Sequence, residues 1–292
     1  MLRSPICYFG GKGRLVAKLL KYIPQHKYYI EAFGGGASLL FAKKPSDFEV
    51  YNDLDSGLVN FFRVLRDEEK FKKFYKEVCL TLYSKEEYNY CKNTWKNIDD
   101  EVERAYRWYI VARMSFAGNF GKSWGFAVKE ISRNMAGTVS RWLSVIELLP
   151  EIHQRVMRVQ IENKHWRDLL DTYSGYDFNE EFIYLDPPYL PDTRRDGKYK
   201  HEMSYKDHKE LIDYLLTHNR RVMLSGYDND LYRRLEKKGW RKVCWEVGCC
   251  AVGRTRLTDI LGKNATFTKN QRRIECIWMN YKCDNNQLKL FR

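Results

Sequence analysis

Residues 181–192 read EFIYLDPPYLPD: an apolar run ends on a carboxylate, and two prolines and an aromatic follow. Each proline fixes its own φ, lacks an N–H, and pushes the residue before it into extended geometry. Asp186 is therefore held at the tip of a strand, beside carbonyls with no competing donors and with the flat ring of Tyr189 just beyond. Alone, the tetrapeptide Asp186-Pro187-Pro188-Tyr189 reads equally well as a strand and a proline-rich turn, so the rest of the chain must decide.

Two glycine clusters, Gly10-Gly11-Lys12-Gly13 and Gly34-Gly35-Gly36, could bring backbone close to a ligand beyond the carboxyl ends of α/β strands. A phosphate loop of the Walker type would need Gly at 6 and Ser or Thr at 13, where Ile6 and Gly13 stand. The dinucleotide fingerprint counted from Gly34 fails at Leu39. Asp53, at the end of the next strand, stands where an acid binds ribose hydroxyls in nucleoside-binding α/β folds. A nucleoside pocket with no pyrophosphate signature suggests S-adenosyl-L-methionine.

These residues need strands to carry them. YYIEAF (28–33), a GGG break, a helix start in ASLLFAKK (37–44) and FEVYND (48–53) give the strand–turn–helix–strand order of a parallel α/β sheet. From about 58 to 155 the apolar spacing is helical, broken at 117–138 by a Gly/Asn/Ser-rich stretch expected to be a hairpin or loop. Strands return at 158–163, 181–186, 220–227, 241–247 and 273–280, with helices at 204–218 and 228–239; the last two strands have no helix between them and are expected to pair antiparallel. The expected organisation is an α/β domain (1–57 and 158–292) interrupted by a helical insert (58–157), with Tyr106, Trp108 and Tyr109 in the insert's core and LRDEEKFKK (65–73) as a solvated helix face.

The 292 residues are 44 % hydrophobic, enough for a real core, and 51 Lys+Arg against 38 Asp+Glu give a formal charge of +13, which favours a polyanionic partner. No apolar run approaches the ~18–20 residues of a membrane span, and the N-terminus lacks a signal-peptide core, so a cytoplasmic protein is expected. No two of the eight cysteines form a C-x-x-C pair and the histidines show no metal-site pairing, so reduced thiols and no metal are expected.

Tyr8-x-Gly-Gly-Lys12, Glu31-Ala-Phe-Gly-Gly-Gly36, Asn52-Asp53 and Asp186-Pro-Pro-Tyr189 together resemble, in order and over nearly the whole chain, the Dam-type DNA adenine-N6 methyltransferases of the D12 class. The resemblance implies a Rossmann-like S-adenosylmethionine-dependent methyltransferase fold and makes the insert a target-recognition domain. It implies a cofactor site of Tyr8, Lys12, Phe33, Gly34, Gly36, Asp53 and Asp186, and a catalytic segment of Asp186, Pro187, Pro188 and Tyr189. An adenine amino group is a poor nucleophile because its lone pair is delocalised into the ring. Asp186 and the Pro187 carbonyl, accepting from its two N–H bonds, would localise that pair, and Tyr189 would stack on the base. The base would be flipped out of duplex DNA, at a cost of a few kcal/mol.

Residues 251–273 hold six Lys/Arg against one acid and read as a loop that orders on DNA through Arg254, Arg256 and Arg272; Arg194, Arg195, Lys198 and Lys200 suggest a second contact. In the insert, GATC-specific relatives carry G-x-F-x-x-P-x-G. Gly118-Asn119-Phe120-Gly-Lys122-Ser123-Trp124-Gly125 keeps both glycines and the phenylalanine but has Ser123 for the proline, which weakens the case for a GATC target. Arg113 is spaced to read a guanine edge but suits a helix surface almost as well, while Trp124 and Phe120 suit base stacking and core packing equally. Expected partners are double-stranded DNA and a cognate restriction endonuclease, with the chain a monomer or weak dimer and no membrane association. The alternatives are another exocyclic-amino methyltransferase, acting on cytosine N4 or RNA, and an inactive DNA-binding homologue.

Overall fold

The computed structural model describes residues 1–7, 10–191, 200–248 and 272–282, which fall into two compact units. The first comprises Met1–Tyr184 with residues 200–201, and the second takes over at Leu185.

In the first unit, α1 (Val16–Leu19) precedes β1 (Tyr28–Glu31), α2 (Ser38–Ala42) and β2 (Phe48–Asn52). Helices α3 (Ser56–Arg66), α4 (Glu68–Leu80), α5 (Lys85–Thr94) and α6 (Glu101–Met114) follow. A short hairpin, β3 (Ile131–Ser132) and β4 (Met135–Ala136), leads into α7 (Gly137–Val156). The chain then returns through β5 (Gln160–Glu162), α8 (Trp166–Thr172) and β6 (Glu181–Leu185). The strands lie parallel in the order β5-β2-β1-β6, with Ile30 of β1 level with Val50 and Ile183. All five residues of β6 are buried, as a strand covered on both faces requires.

The helices start where the sequence supplies caps. Asp55 accepts from the N–H groups of Gly57 and Leu58 at the head of α3, and Asp67, Ser84 and Asp100 do the same for α4, α5 and α6. Their apolar faces close an aromatic core in which Phe61 stacks on Tyr109 with centroids 5.1 Å apart, while Phe74 and Trp108 flank the pair. Trp108 and Tyr109 are fully buried, whereas Tyr106 sits at the margin, its hydroxyl bonded to Thr81 and Glu87. The 65–73 segment is less solvated than its charges suggest: Leu65 and Phe71 are buried, Phe71 stacking on His153 at 4.3 Å. The hairpin turns on Arg133 and Asn134, both with positive φ, the geometry of a two-residue primed turn.

The second unit contains α9 (Tyr205–Thr217), β7 (Val222–Tyr227), α10 (Arg233–Lys237), β8 (Arg241–Gly248) and β9 (Arg272–Met279). β9 lies between β7 and β8, antiparallel to both. The mixed α/β class with an antiparallel last strand is therefore as the sequence implies. Two readings are corrected. Arg272 and Arg273 belong to β9, paired with Gly248 and Val247, and not to a loop running to 273. Cys244 and Cys276 face each other across β8 and β9 and are joined in a disulfide with Cα atoms 4.1 Å apart, so not every cysteine is a reduced thiol. Directly opposed antiparallel positions bring Cα atoms closest, and spacing in sequence cannot reveal that opposition. Among the described residues no helix is long and apolar enough to cross a membrane, and no group of His, Cys, Asp and Glu is arranged to hold a metal.

Candidate active site

At the carboxyl end of β1 the chain turns sharply through residues 34–37. The Gly34 N–H donates to the Asn52 carbonyl (2.8 Å), Gly35 has φ 48°, and Ala37 is left-handed at the head of α2. Gly34 could be no other residue: a Cβ there would lie 2.1 Å from the Tyr51 ring, whose hydroxyl donates to the Gly35 carbonyl at 2.7 Å. Asp53, at the end of β2, faces this turn. One carboxylate oxygen accepts from the Gly35 N–H and the other from the Asp55 N–H, both at 2.8 Å. Burial raises the Asp53 carboxyl above the usual aspartate value, and these two N–H donors oppose the rise. Each oxygen keeps a further lone pair, enough to accept from a pair of ribose hydroxyls. The position is fixed from behind: Asn52 bridges Ala32 and Lys164, and Asn163 donates to the Asp53 carbonyl. Lys12 is buried with its ammonium toward the Gly10 carbonyl, and Phe33 is half-buried beside the turn. Tyr8 lies outside the described residues.

In the second unit Asp186 follows directly on β6. It is half-exposed, while Pro187 and Tyr189 on either side of Pro188 are buried. Tyr189 is held by two residues that the sequence reading missed. Its hydroxyl donates to Glu275 Oε2 at 2.7 Å, and its ring meets the Tyr227 ring at 4.5 Å and 70°. Tyr232 is buried nearby, sharing a 2.9 Å hydrogen bond with His208 Nδ1; burial, and then the charge of Asp186, push its phenol well above the ordinary range. Tyr227 ends β7, at the carboxyl edge where sites collect in such sheets, and that was the one signal available for it.

A glycine turn faced by an acid and a proline-locked Asp-Pro-Pro-Tyr are the two ends of one family signature. The family model for the D12 class N6 adenine-specific DNA methyltransferases matches residues 8–246. The chain belongs to that family. It is 27 % identical over 262 residues to "Type II methyltransferase M1.LlaDCHI" of Lactococcus lactis subsp. cremoris, covering 81 % of this chain and 85 % of that relative. It is 24 % identical over 252 residues to "Modification methylase StsI" of Streptococcus sanguinis, and 23 % over 300 residues to "DNA N-6-adenine-methyltransferase" of Escherichia phage P1. The match to these two takes in 77 % and 89 % of this chain but only 35 % of each relative's length.

Methyltransferase membership implies S-adenosylmethionine as donor, and the open lone pairs of Asp53, held by the N–H groups of Gly35 and Asp55, fit a nucleoside's hydroxyls. Arg113 donates to Cys7 Sγ (3.2 Å) and to the Arg141 carbonyl (3.4 Å), so its guanidinium is not presented as an open fork. Lys200 is likewise engaged, with Asp55 at 2.6 Å and over the Trp95 ring. Phe120 packs on Trp95 and Trp108, while Trp124 stacks on Phe126, which is 55 % exposed. Asn119 is half-buried and Lys122 exposed on the same turn. Arg194, Arg195, Lys198, Arg254 and Arg256 lie outside the described residues, and of Arg272 only the backbone is described.

Proposed function

We propose that this methyltransferase moves the methyl group of S-adenosyl-L-methionine to the N6 amino group of an adenine flipped out of double-stranded DNA at a specific site. The observation that supports the reading is the segment after β6: a half-exposed Asp186 at the strand end is followed by a buried Pro187, and two prolines constrain the backbone there. Asp186 accepts one N6–H and the Pro187 carbonyl the other, drawing the nitrogen toward tetrahedral geometry so that its lone pair faces the donor. This stabilises the transition state more than the planar amine, which is the condition for a gain in rate. The sulfonium supplies an activated methyl group and needs no metal. Gly34, Gly36, Phe33 and Asp53 hold the donor's nucleoside, and Tyr8, Lys12 and Asp186 are the further residues assigned to the donor. Tyr189 lies against the extruded base. Basic side chains at 194, 195, 254, 256 and 272 offset the cost of extrusion through phosphate contacts, and Asn119, Lys122 and Trp124 meet the DNA from the insert. Pairing with a cognate restriction endonuclease, and a monomer or weak dimer as the working form, complete the proposal.

Radiolabelled methyl transfer to duplex DNA, RNA and protein tests it, with Asp186→Ala as the decisive variant. Label is expected in duplex DNA alone, and Asp186→Ala is expected to lose transfer while binding DNA nearly as well as the parent. Undiminished turnover in Asp186→Ala would remove the mechanism. Single-molecule sequencing of host DNA after expression gives both the modified base and its context.

A further inference from the structure

We propose that Glu275 and Tyr227 are positioning residues for Tyr189, and that through it they set the rate of methyl transfer and not the affinity for either substrate. The proposal rests on the preceding reading that Tyr189 lies against the target base.

Pro187 and Pro188 constrain the backbone of their segment, but nothing in them orients the next side chain. Tyr189 lies in neither helix nor strand, so the ring needs outside support. It is buried to 4 % exposure, and two contacts from one rung of the sheet hold it. Glu275 of β9 is the register partner of Tyr227 of β7, so the hydroxyl clamp and the ring contact come from directly opposed positions. Both contacts fall at the carboxyl end of β7, the edge on which such sheets do their chemistry.

A carboxylate is an odd choice for this place. The next four residues of β9, Cys276 to Met279, are buried apolar side chains, and packing alone would be served by another of that kind. What Glu275 adds is a charge-assisted acceptor at 2.7 Å, stronger and more directional than a neutral one. It also leaves the phenol ring richer in electrons. The attacked adenine gains positive charge as the methyl arrives, and a ring face attracts positive charge. The clamp therefore favours the transition state over the resting base, and its loss is expected in the chemical step.

The test is single-turnover transfer of radiolabelled methyl, with excess enzyme, to plasmid DNA lacking N6-methyladenine. Dissociation constants for S-adenosylmethionine and DNA are measured alongside. Glu275→Ala is expected to slow the step about tenfold, a typical loss for a hydrogen bond to a charged group, with both dissociation constants within about twofold of the parent. Glu275→Gln keeps an acceptor and is expected to recover most of the rate. Tyr189→Phe is expected to match Glu275→Ala, and the double variant to be no slower than the slower single, since both remove one interaction. Additive losses in the double variant, an unchanged rate in Glu275→Ala, or a loss confined to either dissociation constant would each overturn the proposal. Should Glu275→Ala not fold, Tyr189→Phe removes the same hydrogen bond from the other side, and an unchanged rate in it would overturn the proposal. A parent enzyme that labels RNA or protein and not DNA would instead defeat the preceding reading, which keeps the two failures apart.

Discussion

Gly34→Ala sets a single methyl group against a ring that has nowhere to go. The new Cβ would stand 2.1, 2.5 and 2.8 Å from Cε2, Cδ2 and Cζ of Tyr51. That ring is 1 % exposed, meets Phe62 edge-on at 4.9 Å, and is tied by its hydroxyl to the Gly35 carbonyl. Relief requires moving the ring or the turn. Overpacking of this kind costs about 1–3 kcal/mol, and breaking the Tyr51 hydrogen bond adds about 1 kcal/mol. Unfolding entropy of roughly 2.1 cal/mol/K per residue makes about 0.6 kcal/mol per degree for a chain of 292 residues, so a loss of about 2–4 kcal/mol lowers Tm by about 3–7 °C. The displaced turn also carries the Gly35 N–H that holds Asp53, so affinity for S-adenosylmethionine is expected to fall at least about tenfold, or 1.4 kcal/mol. Thermal unfolding followed by circular dichroism and titration calorimetry with the donor read the two effects. Gly13→Ala is the control: nothing lies within 4 Å of a Cβ there, and its Tm is expected to hold or rise. A Gly34→Ala protein with the parent's Tm and donor affinity would refute the account of the turn.

Glu49 lies buried between Arg155, which donates to both its oxygens (2.5 and 2.8 Å), and Lys43 at 2.5 Å. Glu49→Gln strands two buried cations and is expected to cost about 3–5 kcal/mol by urea unfolding. Burial raises the Glu49 carboxyl, but Arg155 and Lys43 more than reverse this and leave it below the usual value of 4.5. The stability it contributes is thus complete above pH 4.5 and lost as pH falls through the lower folded value, a slope that the Gln variant should lack. Neutralising Arg254, Arg256, Arg272 and Arg273 together is expected to weaken DNA binding and flatten log K against log salt by about 3–4; an unchanged slope would make the 251–273 stretch a bystander.

Much of this was legible in the chain itself because it is written in local terms. Apolar spacing gave the main-sheet strands and α9 to within a few residues and the insert as helical, while α1 and α8 went unread; Asp53, Gly34 and the Asp-Pro-Pro-Tyr segment stand at strand ends because their neighbours force turns there. Local spacing could not say which side chains meet across the fold. Spacing left Arg113 open between a base reader and a helix-surface arginine, and it gave no hint of its contacts with Cys7 and the Arg141 carbonyl. Cys244 and Cys276 looked like scattered thiols until the register of β8 and β9 set them face to face.

The sequence by itself determined the family, the order of the main-sheet strands along the chain and the residue types that chemistry on an exocyclic amine requires. Tertiary structure alone decided that Gly34 must stay bare under Tyr51 and that Glu275 and Tyr227 grip Tyr189. Propensity and capping act over a few residues, whereas strand register and side-chain packing join positions tens of residues apart, and no local pattern encodes that pairing.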